Sequence, residues 1–294
     1  MKRNTRAAAL LEALPYFQQF RGHTMVVKYG GAAMENPELV ESVLRDVVFL
    51  EAVGINPVVV HGGGKAITAA MKEENLTAHF IDGQRVTDEG AIRIIDRVLT
   101  EVIGPALAQE IRKQGGRAEV LSGKDVLVAE KATPKVAADG TKIDLGFVGE
   151  IVAVQTEQLK KLVEAEITPI VSPLGRGRDG QVYNINADIA AAKIAQALQA
   201  HKIIYLSDVN GVRRNPKDEA SLISTLTPAQ IQKLKEEGVI AAGMIPKVDS
   251  ALEALAGGVA KVHFLDGCST HSLLLELFTD AGIGTEIAAP KADL

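Results

Sequence analysis

One cysteine, Cys268, stands in 294 residues, so no intramolecular disulfide can form and no cysteine cluster is on hand for zinc. That fits a reducing compartment and leaves Cys268 as a small residue at a helix start. Tryptophan is absent and other aromatics are scarce, and no stretch interleaves them with lysine and arginine as a nucleic-acid surface would. An excess of positive charge is lacking as well: 32 basic residues face 37 acidic ones, for a net charge of -5, which points to a small-molecule ligand. No apolar run approaches the ~18 to 20 residues needed to span a bilayer. Ala7 to Leu14 is apolar, but Glu12 interrupts it and no small-residue cleavage site follows, so the cytoplasm is the expected location. The histidines, at positions 23, 61, 79, 201, 263 and 271, show no metal-ligand spacing, and no protein metal site is expected.

Hydrophobic residues make up 47% of the chain, enough for a sizeable core. Apolar runs of strand length alternate with amphipathic stretches of helix length, the mark of an α/β chain with a mainly parallel sheet. Strands are expected near Met25 to Tyr29, Pro57 to His61, Ala118 to Leu121, Thr168 to Val171, Lys202 to Ser207 and Val262 to Asp266, with helices between them. Residues 126 to 154 break the alternation and read as hairpins, an insertion of the kind that covers a pocket. Ser172 to Gly180 is the densest turn signal and the expected boundary between an N-terminal lobe, 21–180, and a C-terminal lobe, 181–294. Residues 1–20 form an appended helical arm in which Pro15 is expected to kink or break the helix. The arm either packs on its own subunit or exchanges with a neighbour.

Two lysines sit in glycine-bearing motifs at opposite ends of the chain: Lys28 in Val27-Lys-Tyr-Gly30-Gly31 and Lys247 in Gly243-Met-Ile-Pro-Lys247. They read as a phosphate clamp. Between them, Val58-Val-Val-His61 runs into Gly62-Gly63-Gly64, whose bare backbone can approach an anion and present amide donors to it. A Walker loop is excluded, because Ala66 follows Lys65 and Asp125 follows Lys124 where Ser or Thr should stand. Gly175-Arg-Gly177-Arg-Asp-Gly180 matches a dinucleotide fingerprint, yet an extended segment follows it instead of a helix, so it reads as a polar turn. Asp188 opens an Ala-rich helix, where a cap is its commonest role. The alternative is a carboxylate holding both ammonium groups. Arg85 is either a surface residue or a clamp on a substrate carboxylate. Ser207 to Val212 makes a turn at the sheet edge that serves a nucleotide or is a bare loop.

Taken in order, Lys28 to Gly31, His61 to Gly64, Gln84 to Thr87, Asp144 to Gly149, Asn184 to Asp188, Ser207 to Gly211 and Gly243 to Lys247 resemble the amino acid kinase family. The resemblance runs from about residue 20 to the end. It implies a three-layer αβα sandwich and, from the members it most resembles, transfer of the γ-phosphoryl group of ATP to the side-chain carboxylate of N-acetyl-L-glutamate in arginine biosynthesis. An aminoadipate derivative is the alternative acceptor, and a non-catalytic arginine sensor the alternative class. By resemblance, Lys28 and Lys247 stabilise the transferring group, Asp188 orients them, and Gly30 and Gly31 lie by the phosphates. Gly63, Gly64, Arg85 and Asn184 would meet the acid. Asp208, Val209, Asn210, Gly211, Val212 and Arg213, with Val239, Ile240, Ala241, Ala242, Gly243 and Met244, would border the nucleotide, with magnesium bridging its phosphates. The N-terminal lobe would bind the acid and dimerise, and the C-terminal lobe would bind ATP. The arm resembles that of arginine-inhibited hexamers, trimers of dimers, in which Tyr16, Lys202, Glu276 and Gly282 fall at the inhibitor site. Lys65 replaces a frequent proline, and Glu286 an apolar residue.

Overall fold

A computed structural model describes residues 3–81, 83–136, 140–215, 217–240 and 243–289. The chain opens with α1 (Arg3–Phe20), β1 (Thr24–Tyr29), α2 (Pro37–Ala52), β2 (Asn56–His61) and α3 (Gly64–Glu73). The antiparallel pair β3 (Phe80–Ile81) and β4 (Gln84–Arg85) comes next, then α4 (Glu89–Arg97), a π-helical stretch at Val98–Ile103, α5 (Gly104–Lys113) and β5 (Ala118–Leu121). β6 (Leu127–Lys131), β7 (Lys135–Val136), β8 (Lys142–Ile143) and β9 (Gly149–Val154) precede α6 (Glu157–Glu164), β10 (Thr168–Val171), β11 (Leu174–Arg176) and β12 (Val182–Asn184). The remainder is α7 (Ala187–Ala197), β13 (Lys202–Ser207), β14 (Thr225–Leu226), α8 (Pro228–Glu236), α9 (Ile245–Ala256), β15 (Lys261–Asp266), α10 (Ser272–Phe278) and β16 (Thr285–Ala288).

The central sheet has the order β14-β16-β15-β13-β1-β2-β10-β5, parallel from β15 to β5. Alternate residues of its strands feed two cores. Met25, Val27, Tyr29, Val59 and Ile204 join the helices α2, α4, α5 and α10 on one face. Val26, Val58, Val60, Ile203 and Tyr205 join α7, α8 and α9 on the other. These are the three layers expected, and they follow from period-two side chains on strands buried on both faces. Lys28 shares the parity of Val26, so its side chain goes to the face that α7 and α9 cover.

The six expected strands are all present. The segment 126–154 does form β structure, with β6 antiparallel to β9 and β7 to β8. The fingerprint-like glycines lie in β11 and in the turn to antiparallel β12, with no helix at their end. Two expectations are corrected. β14 and β16 were missed, since two and four residues are too short to carry a pattern. Of the kink or break expected at Pro15, the break is not found, since α1 is assigned continuously through it: the Leu11 carbonyl that proline deprives of its amide sits where Leu11 is 67% exposed, so water can serve it. No helix among the described residues is long and apolar enough to cross a membrane.

Candidate active site

β1 and β2 are neighbours at the centre of the sheet, and their carboxyl ends carry Lys28-Tyr29-Gly30-Gly31 and His61-Gly62-Gly63-Gly64 side by side. Open α/β sheets bind ligands at this edge, where the connections diverge. A cleft of about 650 Å³ lies there, lined by Lys28, Gly30, Gly31, the three glycines, Arg85, Asn184 and Asp188, together with Ala132, Thr133, Lys135 and residues 148–151. The insertion thus borders the pocket.

Asp188 is the hub. Its carboxylate takes the Lys28 ammonium at 2.9 Å on one oxygen and the Lys247 ammonium at 3.0 Å on the other. Lys28 and Asp188 are buried, and Lys247 rides the first turn of α9. Burial pushes the Asp188 pKa up, but the two lysine charges and their hydrogen bonds outweigh it and hold the group below the usual carboxylate range. The expectation that Asp188 caps α7 is corrected. Asn186 is the cap, accepting from the Asp188 and Ile189 amides at 2.8 and 3.3 Å, which frees the aspartate side chain for the lysines. Below it, the Ser250 hydroxyl donates to the Asp188 carbonyl at 3.0 Å and meets the Tyr205 hydroxyl at 2.8 Å, tying α7 and α9 to β13. Sequence reasoning missed Asn186, Tyr205 and Ser250. Only the first left a signal, an Asx residue immediately before the helix.

Gly30, Gly31 and Gly63 leave little room for a side chain. A Cβ on Gly30 would stand 2.9 Å from the Lys28 ammonium. Gly31 has φ +79°, and a Cβ there would be 2.0 Å from Asp208 Oδ1, which accepts the Ala32 amide at 2.6 Å. A Cβ on Gly63 would meet Ile103 at 2.7 Å, whereas Gly64 opens on free space at the start of α3.

Arg85 is buried, not a surface residue. Its guanidinium donates to the Gly64 carbonyl and the Thr68 hydroxyl, both at 2.9 Å, and lies 4.6 Å from the Phe80 ring centre. Burial lowers its pKa, and no carboxylate pairs with it among the described residues. A desolvated cation in a cleft is a candidate site for an anion. Asn184 donates to Thr87 Oγ1 at 3.2 Å, and Thr87 donates to the Arg85 carbonyl, so the two expected acid-binding residues are coupled.

Among the described residues, none of the expected nucleotide segments lines this cleft. Asp208 reaches Gly31. Val209 and Asn210 continue the loop, Gly211 and Val212 pack on Thr285, and Arg213 pairs with Glu219 at 3.5 Å. Val239 and Ile240 fold back on Leu234, and Gly243 and Met244 lead into α9. Ala241 and Ala242 fall outside the described residues. The four expected inhibitor residues do cluster at the foot of α1. Tyr16 donates to Asp280, and Lys202 lies 3.3 Å from His263 Nε2 and 4.7 Å from the Phe20 ring centre. Glu276 accepts from His263 at 2.7 Å and from the Ile283 and Gly284 amides, while Gly282, at φ +60°, sits against it. His263 was not anticipated. Lys65 pairs with Glu35, and Glu286 with Lys261 at 2.8 Å.

The amino acid kinase family model matches residues 23–266. This chain belongs to the amino acid kinase family. The resemblance read from seven motifs, and the fold it implied, are borne out. Among its relatives is an acetylglutamate kinase of Heliobacterium modesticaldum, 46% identical over 98% of this chain and 99% of that one. Another is an acetylglutamate kinase of Akkermansia muciniphila, 45% identical over 96% and 95%. Among solved structures, N-acetylglutamate synthase from Neisseria gonorrhoeae, complexed with coenzyme A and N-acetyl-glutamate, superimposes with a TM-score of 0.84 at 31% identity. That match covers 97% of this chain but 64% of the synthase. Giardia carbamate kinase, at 16% identity and TM-score 0.66, shares the fold.

Proposed function

We propose that the protein transfers the γ-phosphoryl group of ATP to the side-chain carboxylate of N-acetyl-L-glutamate, giving an acyl phosphate. One observation carries the reading: two ammonium groups are fixed on one buried carboxylate, and that carboxylate lines the same cleft as a buried arginine with no carboxylate partner among the described residues. A carboxylate attacking a polyphosphate must overcome like-charge repulsion. Lys28 and Lys247 neutralise the oxygens of the transferring group while Asp188 keeps both in place, and Arg85 with Asn184 holds the acid. The acid is its own nucleophile, so catalysis is positioning plus electrostatics. The near-full-length likeness to acetylglutamate kinases supports N-acetyl-L-glutamate over an aminoadipate derivative.

No cluster of three or more His, Cys, Asp or Glu suited to a metal occurs among the described residues, and both Asp188 oxygens face lysines. A magnesium ion brought by the nucleotide would supply charge neutralisation on its phosphates, beside that of Lys28 and Lys247. Trapping the product as a hydroxamate, with N-acetyl-L-glutamate and aminoadipate derivatives side by side, tests the assignment. Strong preference for the first is expected, and no product from either overturns it.

Inhibition by L-arginine is the second reading. It is favoured by the convergence of Tyr16, Lys202, Glu276 and Gly282, and by a related N-acetylglutamate synthase structure complexed with coenzyme A and L-arginine. Leu10, Leu11 and Leu14 are exposed along α1, an apolar stripe suited to another copy's arm, so the arm joins dimers into a hexamer in this reading. Inhibition of the hydroxamate assay by L-arginine is the expected result, and rates unmoved by arginine overturn it.

A further inference from the structure

His61 ends β2 directly before the three glycines, and it is completely buried. Its Nδ1 lies 2.9 Å from the Gly62 carbonyl oxygen. A carbonyl has no proton to offer, so Nδ1 carries the hydrogen and donates it, which leaves Nε2 as the bare acceptor. Nε2 is buried without a hydrogen-bond partner among the described residues. It faces Gly104, where an added Cβ would be 3.6 Å away, at the joint between the π-helical stretch and α5. Burial pushes the ring pKa down to about 4, so the imidazole is neutral at working pH and the tautomer is fixed. An orphaned acceptor is unfavourable, and a residue serving packing alone would be apolar here.

The Gly62 carbonyl and the Gly63 amide belong to one trans peptide and point in opposite directions. Gly62 is also held through its own amide, which donates to the Tyr29 carbonyl at 2.7 Å. The Gly63 amide, by contrast, has no hydrogen-bond partner among the described residues, and Gly63 lines the cleft. We propose that His61 is a positioning residue: by donating to the Gly62 carbonyl it fixes the Gly62–Gly63 peptide so that the Gly63 amide faces the cleft as an anion donor. The inference rests on the carboxylate-kinase reading given above. The peptide needs such a lock because neither flanking residue has a Cβ, so it can flip easily. A flip would replace a donor with a carbonyl oxygen and turn attraction for the phosphoryl group into repulsion.

Three variants test this. Asparagine places its amide nitrogen where Nδ1 stands, glutamine places it near Nε2, and leucine supplies neither. His61→Leu and His61→Gln are expected to lower kcat by about 10- to 100-fold, with both KM values within about threefold of the parent. His61→Asn should recover most of that loss. Nitrogen-15 NMR of the parent should show Nδ1 protonated, Nε2 bare and no titration near neutral pH, and this readout stands even if the variants fold poorly. A leucine variant within about threefold of the parent kcat overturns the role, as do equal losses in leucine and asparagine or an Nε2-protonated ring. No turnover by the parent overturns the carboxylate-kinase reading and this role with it. Turnover by the parent with no loss in the leucine variant overturns the role of His61 alone.

Discussion

Replacing Asp188 by asparagine removes the charge that two lysines share and keeps the shape. At an effective dielectric of ~20, each contact at 2.9 or 3.0 Å is worth about 5 to 6 kcal/mol before desolvation is counted. Stranding the lysines is expected to cost about 3 to 4 kcal/mol, the lower part of the range for a broken buried pair, because Lys247 keeps 20% of its side chain in water. That corresponds to a fall in Tm of roughly 5 to 6 °C for a chain of this length. The loss should be conditional. A nucleotide polyanion gives both ammonium groups a new partner, so ATP should raise Tm more in the variant than in the parent. Turnover should still fall about 10²- to 10³-fold, since the lysines then lack a fixed geometry in the transition state. Differential scanning fluorimetry with and without ATP, run beside the hydroxamate assay, measures all three. A Tm within about 2 °C of the parent, or an ATP-induced shift no larger than the parent's, would refute the reasoning. The pH sign follows from the depressed Asp188 pKa: its contribution is present above the usual carboxylate range and fades as pH falls below it.

Arg85→Lys keeps the charge but not the fork that meets Gly64 and Thr68, and it is expected to raise KM for the acid about 10- to 100-fold with KM for ATP little changed. Steady-state kinetics in both substrates checks this. Gly31→Ala puts a Cβ on Asp208 in a left-handed backbone, so it should destabilise the fold on its own and less so beside Asp208→Ala. A double-mutant cycle by denaturant unfolding with strictly additive effects would show that the clash is not the cause. Glu276 is held below its ordinary range. Burial pushes its pKa up, but His263 and the Ile283 and Gly284 amides outweigh that. The stability it gives is therefore present above the ordinary carboxylate value and lost as pH falls through the depressed one. Glu276→Gln should be less stable than the parent at pH 7, with the gap narrowing on acidification; a gap that widens would contradict the assignment.

The sequence alone determined the fold class, and it singled out Lys28, Gly30, Gly31, Gly63, Gly64, Arg85, Asn184 and Asp188, which line one cleft. Buried parallel strands are continuous apolar runs, and the helices between them carry their own periodicity, so both can be read locally. Lys28 and the triple glycine were legible because they sit in motifs where a Cβ on Gly30, Gly31 or Gly63 would meet a close neighbour, whereas Lys247 was legible only through its motif, whose Gly243 meets nothing within 4 Å. Sequence could not decide what Asp188 does. Its place at a helix start argued for a cap, and only the packing of α7 and α9 on one face of β1 shows both lysines on its carboxylate while Asn186 takes the cap. The same holds for Arg85, whose burial depends on Met71, Thr68 and Phe80 closing around it, and for His263, which joins Lys202 to Glu276 across 61 and 13 residues. Local pattern reports which face of an element is apolar. Which charges meet depends on how the faces stack, and that is a property of the whole chain.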